Sequence, residues 1–249
     1  EYDNAFLYVN RALETSPGNP NAMVSKKYIR LGFAYQKMQN QEYEPAISLL
    51  NKNLEDFSGD RETLLNKANI YLITKETEEA KNVYLELARN AKDSIVALNG
   101  MALAAHIAEN EKEAQSLAGK AIEKAEVLGD STSLQASRER YAQTLVWNKD
   151  FENAEAYISE LITTYGEENW VLSLRATLGM YRSDFKESIA DYQQILEKDT
   201  ASFDGNLGIA NAYFADGETK NAYDAAYQTL KVFPNQKDAT NFIGKLDRS

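Results

Sequence analysis

The stretch "GIANAYFADGETKNAYDAAYQTLKVFPN", Gly208 to Asn235, decides how this chain is read. Ala210 and Ala222 stand twelve residues apart in it, a short turn around Asp216-Gly217 separates them, and Pro234 closes the segment. With Ala222 as a marker, equivalent positions upstream are Ala46, Ala80, Ala114, Ala154 and Ser188, at successive intervals of 34, 34, 40, 34 and 34 residues. Twelve residues before each marker, or fourteen in the first case, comes a second small residue: Gly32, Ala68, Ala102, Ala142, Ala176 and Ala210. A fixed period of this length marks a chain built from stacked units. Two amphipathic helices joined by a tight turn bury their faces only if their axes approach closely, and a small side chain at each crossing point permits that approach.

Around those points the apolar residues keep helical spacing. Leu64, Leu65, Ala68, Tyr71 and Leu72 precede Ala80, Val83, Tyr84 and Leu87; Leu172, Ala176 and Met180 precede Phe185, Ile189, Tyr192 and Leu196. The turns between paired helices are short and polar: "TKETEE" (74–79), "AENEKE" (108–113), "NKDFEN" (148–153), "RSDFKE" (182–187) and "ADGETK" (215–220). Only 12 Gly and 4 Pro interrupt the chain, too few for a many-turned β protein, so an all-α fold is predicted.

A 34-residue helix–turn–helix unit with this pattern resembles the tetratricopeptide repeat. The last unit carries that motif as Ala210, Tyr213, Gly217, Ala222, Ala226 and Pro234, and the first full unit carries "LGFAY" (31–35) with Tyr43 and Ala46. The resemblance covers residues 1–234 and implies a right-handed superhelical solenoid of stacked helical hairpins. It divides 1–249 into the second helix of a truncated unit (1–19), six units (20–59, 60–93, 94–133, 134–167, 168–201 and 202–235) and a C-terminal capping helix (236–249). The first helix of the first full unit is expected to begin early, near Asn21. Six extra residues around "KAEVLGDSTSLQ" (124–135) call for lengthened helices or an intruding loop. A start at "EYDNAF", with no initiator Met, reads as an excerpt from within a longer array.

Composition narrows the function. The chain is 43% hydrophobic and 26% charged, with a formal net charge of −11 and no basic stripe, which argues against a nucleic-acid partner. It has no cysteine and a single histidine, His106. That excludes disulfides, Cys–His nucleophiles and paired-histidine zinc sites. No phosphate loop or calcium loop occurs, so no cofactor and no metal are expected, and the chain is read as not an enzyme. No apolar run is long enough to insert into a membrane. Without cysteine the redox compartment stays open between a cytoplasm and a bacterial periplasm.

The reading that remains is a scaffold that binds a protein or peptide; the alternative is a spacer or docking arm for a flanking domain of a bacterial envelope or export protein. The resemblance implies a concave groove lined by four places in each first helix. Counted from the markers, these are Glu62, Leu65, Asn69 and Leu72; Val96, Asn99, Leu103 and His106; Ala136, Glu139, Gln143 and Val146. The last two units supply Trp170, Ser173, Thr177 and Met180, then Asp204, Leu207, Asn211 and Phe214. The family's Lys-Asn-Arg clamp for C-terminal carboxylates has no Lys set at these places, so recognition of that type is not expected. Asn69, Asn99, Gln143 and Asn211 form a row of amides able to pair with an extended backbone. His106, Val146, Trp147, Met180, Tyr181 and Phe214 fall at matching places, as an apolar binding strip or as packing between hairpins.

Overall fold

All six hairpins turn on one backbone event. Gln41, Lys75, Glu109, Lys149, Ser183 and Gly217, each five residues before a marker, take left-handed φ values of 62°, 63°, 59°, 57°, 67° and 83°. The following N–H then reaches back over the end of the first helix, as in Glu76 N to Tyr71 O (2.8 Å), Asp150 N to Leu145 O (3.0 Å) and Glu218 N to Tyr213 O (2.8 Å). This capping motif satisfies carbonyls that the helix end leaves open. Only the last turn uses glycine for it; the other five accept about 1 kcal/mol of backbone strain each.

The computed structural model describes residues 2–234 and 237–246, which are helices and short turns without a strand among them. The expected capping segment's Gln236 and its end at 247–249 lie outside the described residues, as do Glu1 and Asn235. Contacts divide the chain into two compact units, 1–137 and 138–249. The first contains α1 (Tyr2–Thr15), α2 (Pro20–Gln39), α3 (Tyr43–Asp56), α4 (Arg61–Ile73), α5 (Thr77–Leu87), α6 (Ser94–Ile107), α7 (Glu111–Leu128) and the start of α8 (Ser131–Trp147). The second holds the rest of α8 with α9 (Phe151–Tyr165), α10 (Asn169–Arg182), α11 (Phe185–Lys198), α12 (Phe203–Ala215), α13 (Thr219–Val232) and α14 (Lys237–Leu246).

The paired small residues sit where the argument from close approach requires. Ala46, Ala68, Ala80, Ala102, Ala114, Ala142, Ala154, Ala176, Ser188, Ala210 and Ala222 have no accessible surface. Ser188 keeps its hydroxyl there because it donates to the Ala176 carbonyl at 2.8 Å, joining the two helices at their crossing. Gly32 is glycine because the Tyr2 ring rests on it; a Cβ would lie 2.9 Å from the tyrosine oxygen. The early start of α2 is real: Pro20 opens it and Asn19 caps it by accepting from Ala22 N. The six extra residues lengthen α7 and α8, joined only by Gly129 and Asp130, so no loop intrudes.

In unit 1, Leu64, Ala68, Val83, Tyr84, Leu87, Ala97 and Met101 form one cluster, and Leu31, Ile47, Leu50 and Ile70 another. In unit 2, Leu145, Val146, Ile158, Leu161 and Leu178 pack together, then Leu172, Ile189, Tyr192, Ile195 and Ile209. Phe242 and Leu246 of α14 close on Ala210, Ala222 and Ala226.

Asp60 ties α2 to α4. It accepts from Thr63 N (3.1 Å) and Thr63 Oγ1 (2.7 Å) as the cap of α4 and from Lys27 Nζ at 2.9 Å. Burial opposes ionisation, but the Lys27 and Thr63 hydrogen bonds together outweigh it and hold the carboxyl below its ordinary value. A depressed folded pKa gives stability that is present above the unfolded value, about 3.9, and lost as pH falls through the folded one. Thermal melts across pH 7 to 2.5 are expected to show a smaller acid-side loss in Asp60→Asn than in the parent. Parallel curves would remove Asp60 from the account.

Candidate binding cleft

Unit 2 encloses a cleft of about 300 Å³ between α8, α10 and α12. Glu139 and Gln143 line it from α8, Trp170, Ser173 and Thr177 from α10, and Asp204, Leu207 and Asn211 from α12. All eight are among the lining places that the family resemblance implies. Residues three, four and seven apart share one face of a helix, and the first helices of three successive hairpins present such a face here.

Tyr192, Leu174 and Gly208 also line the cleft and were not singled out by the repeat phase. Tyr192 belongs to α11, a second helix, and reaches the cleft by lying against Gly208, where a Cβ would stand 2.4 Å from its ring. Its signal in the sequence is a repeated pair: Tyr84–Gly100 and Tyr192–Gly208 share one sixteen-residue separation. Thr177 donates to Ser173 O at 2.8 Å and is joined to Tyr192 by a side-chain hydrogen bond. Trp170 is held edge-on to Tyr165, with ring centroids 5.2 Å apart. The walls are thus fixed before any ligand arrives.

The charge of the cleft is acidic. Burial pushes the Glu139 carboxyl up, neighbouring Arg140 pulls it down, and the negative charge of Asp204 raises it again. Among the described residues Glu139 has no hydrogen-bond or ion-pair partner: Arg140 instead donates to Gln143 Oε1 at 2.8 Å and lies over the Trp147 ring. A second cavity of about 400 Å³, between α9, α10 and α11, has Ile158, Ile162 and Leu178 in its wall. Two ion pairs stand in its wall, Arg175 with Asp191 (2.7 Å) and Arg182 with Glu155 (2.8 Å). Among the described residues no cluster of three or more His, Cys, Asp or Glu is suited to a metal ion, and no helix is long and apolar enough to cross a membrane.

The chain is similar in structure to a tetratricopeptide repeat protein from Parabacteroides merdae, with 17% identity and a TM-score of 0.70 over 97% of this chain and 90% of that one. The fold is that of the tetratricopeptide repeat. Yeast Tom70 shares it at 13% identity, a TM-score of 0.59, and 99% and 58% coverage. PilW, a type IV pilus biogenesis factor, does so at 17% identity, a TM-score of 0.52, and 87% and 98% coverage. No protein-family model matches the sequence, and no curated protein does.

Within this tetratricopeptide-repeat fold the amide row divides between the units. Asn69 and Asn99 lie in unit 1. Asn69 is exposed, with Nδ2 3.8 Å from Met38 Sδ. Asn99 donates to Ser137 Oγ at 3.0 Å, and its Oδ1 is buried without a partner among the described residues. Gln143 and Asn211 meet in the unit 2 cleft, where Asn211 is exposed and donates to its own helix at Leu207 O.

The residues of the expected apolar strip lie outside the cleft. Val146 is core, packed with Ala154 and Ile158, and half-buried Met180 packs on the Leu172–Tyr192 cluster. Phe214 stands edge-on to Phe242 of α14 at 5.7 Å. His106 bonds through Nδ1 to Glu111 Oε1 at 2.8 Å, within its own hairpin. Trp147 is half-buried beside Arg140, and Tyr181 is exposed.

Proposed function

We propose that residues 1–249 form one tetratricopeptide array, divided as the repeat phase divides it, that acts as a non-catalytic scaffold binding a protein or peptide. Its binding centre is the cleft between α8, α10 and α12. One observation supports this reading: eight of the side chains that the family resemblance implies as groove lining meet in one cleft, where they supply an aromatic ring, two amides and two hydroxyls. Extended peptides are recognised by such a combination, with amides on the backbone and pockets for side chains. Glu139 and Asp204 in its wall disfavour a phosphate backbone.

The test is an array of N-acetylated random decapeptides probed with the whole protein. Asn211→Trp fills the cleft from an exposed helix position and leaves the core untouched. Val127→Ser with Leu128→Ser alters an exposed patch elsewhere, at 85% and 58% exposure. Peptides bound by the parent and the Val127/Leu128 variant but lost from Asn211→Trp are the expected outcome. Binding that survives Asn211→Trp unchanged, or no binding at all, contradicts the reading; the second result favours a spacer.

A further inference from the structure

The lining of the cleft also says what kind of side chain it takes. Two carboxylates, Glu139 on α8 and Asp204 on α12, line it together. Asp204 has an ordinary reason to be there, since an acid in the first turn of α12 opposes the helix dipole. Glu139 has none. It sits in the middle of α8, partly buried; the neighbouring Arg140 attracts it from a distance but bonds Gln143 and lies over Trp147, so that no ion pair or hydrogen bond to Glu139 occurs among the described residues. Withdrawing a carboxylate from water beside a second one is unfavourable unless a cation joins them.

Between these acids the wall is aromatic and aliphatic, from Trp170, Leu207 and Tyr192. Long basic side chains suit that combination: the methylene stem covers apolar surface while the head reaches polar groups, and an aromatic face attracts the cation. A cavity of about 300 Å³ is at the small end for ligand sites, sized for a side chain and adjoining backbone and not for a folded partner. The chain's net charge of −11 draws basic ligands toward it in solution.

Resting on the peptide-binding reading above, we propose that the cleft selects a peptide segment presenting a lysine or arginine side chain. The charged head lies between Glu139 and Asp204, the stem lies along Trp170 and Leu207, and the Gln143 and Asn211 amides take the adjoining backbone.

The same N-acetylated array tests this, because acetylation removes the peptide's own terminal amine as a rival cation. Peptides whose binding is lost in Asn211→Trp are expected to share one basic position. Replacing that residue by norleucine is expected to weaken binding about tenfold or more, the scale of a charge-assisted hydrogen bond. The isosteric double variant Glu139→Gln with Asp204→Asn, its melting curve matched to the parent, is expected to bind the lysine and norleucine peptides alike. Cleft-dependent peptides without a basic preference, or a preference that survives the double variant, overturn this inference and leave the scaffold reading standing. Absence of any cleft-dependent peptide overturns both.

Discussion

Ala176→Trp is expected to destabilise unit 2 by about 3 kcal/mol or more and to lower its melting temperature, with far-UV circular dichroism as the readout. Ala176 has no accessible surface and lies where α10 and α11 cross, with its carbonyl accepting from Ser188. Leu172, Ile189 and Tyr192 surround it in one cluster. An indole there has no volume to enter, so the helices must part and the Ser188 bond must break. Tyr192 then loses its seat, and the cleft goes with it. The disruption is expected to stay local, because the unit 1 helices keep their own contacts. A melt indistinguishable from the parent's would show that the paired small residues are not helix crossings, and the repeat register would fall with them.

Gly100→Ala is the corresponding test in unit 1. A Cβ at Gly100 would stand 2.2 Å from Tyr84 Cζ and 2.3 Å from Cε1. Two effects of opposite sign compete. Alanine in a helix interior gains about 1 kcal/mol over glycine from propensity, while overpacking costs about 1–3 kcal/mol. The contact decides, because the whole ring would have to move and Tyr84 is 7% exposed inside a packed cluster. Net destabilisation is therefore expected, and combining Gly100→Ala with Tyr84→Leu should recover much of it. If Gly100→Ala alone raises the melting temperature, the ring has somewhere to go and the tyrosine–glycine pairing is not a constraint.

The repeat was legible because close helix approach leaves almost no choice of side chain at Ala46, Ala80 or Ala142, and because sterics recur at the period of the unit. The hairpin turns were visible as polar breaks, but their left-handed residue was not. Gln41, Lys75, Glu109, Lys149 and Ser183 carry no preference for that conformation; the helix geometry on either side imposes it. Lining places such as Gln143, Thr177 and Asn211 were named because the family resemblance says which places of a first helix face the groove, and the repeat period carries those places from unit to unit. Places in the last turn of a first helix stayed open between a binding strip and packing. Val146 sits in the last turn of α8, where the hairpin folds α9 back over it, and Phe214 sits where α14 supplies Phe242. Tyr192 escaped for the converse reason: it reaches the cleft from a second helix, over a residue without a side chain.

The central claim, that the cleft in unit 2 is where this protein binds, is tested most directly by a heteronuclear NMR titration of the whole protein with a decapeptide selected on the array. The account predicts that the largest shifts fall on the Trp170 indole N–H, the Gln143 and Asn211 side-chain amides and the backbone of α10 and α12. The Trp147 indole and the exposed Val127–Leu128 patch should stay nearly still. Shifts concentrated at Trp147 and Tyr181, or on the α9–α11 side around Arg182, would contradict it and move the binding site off the cleft.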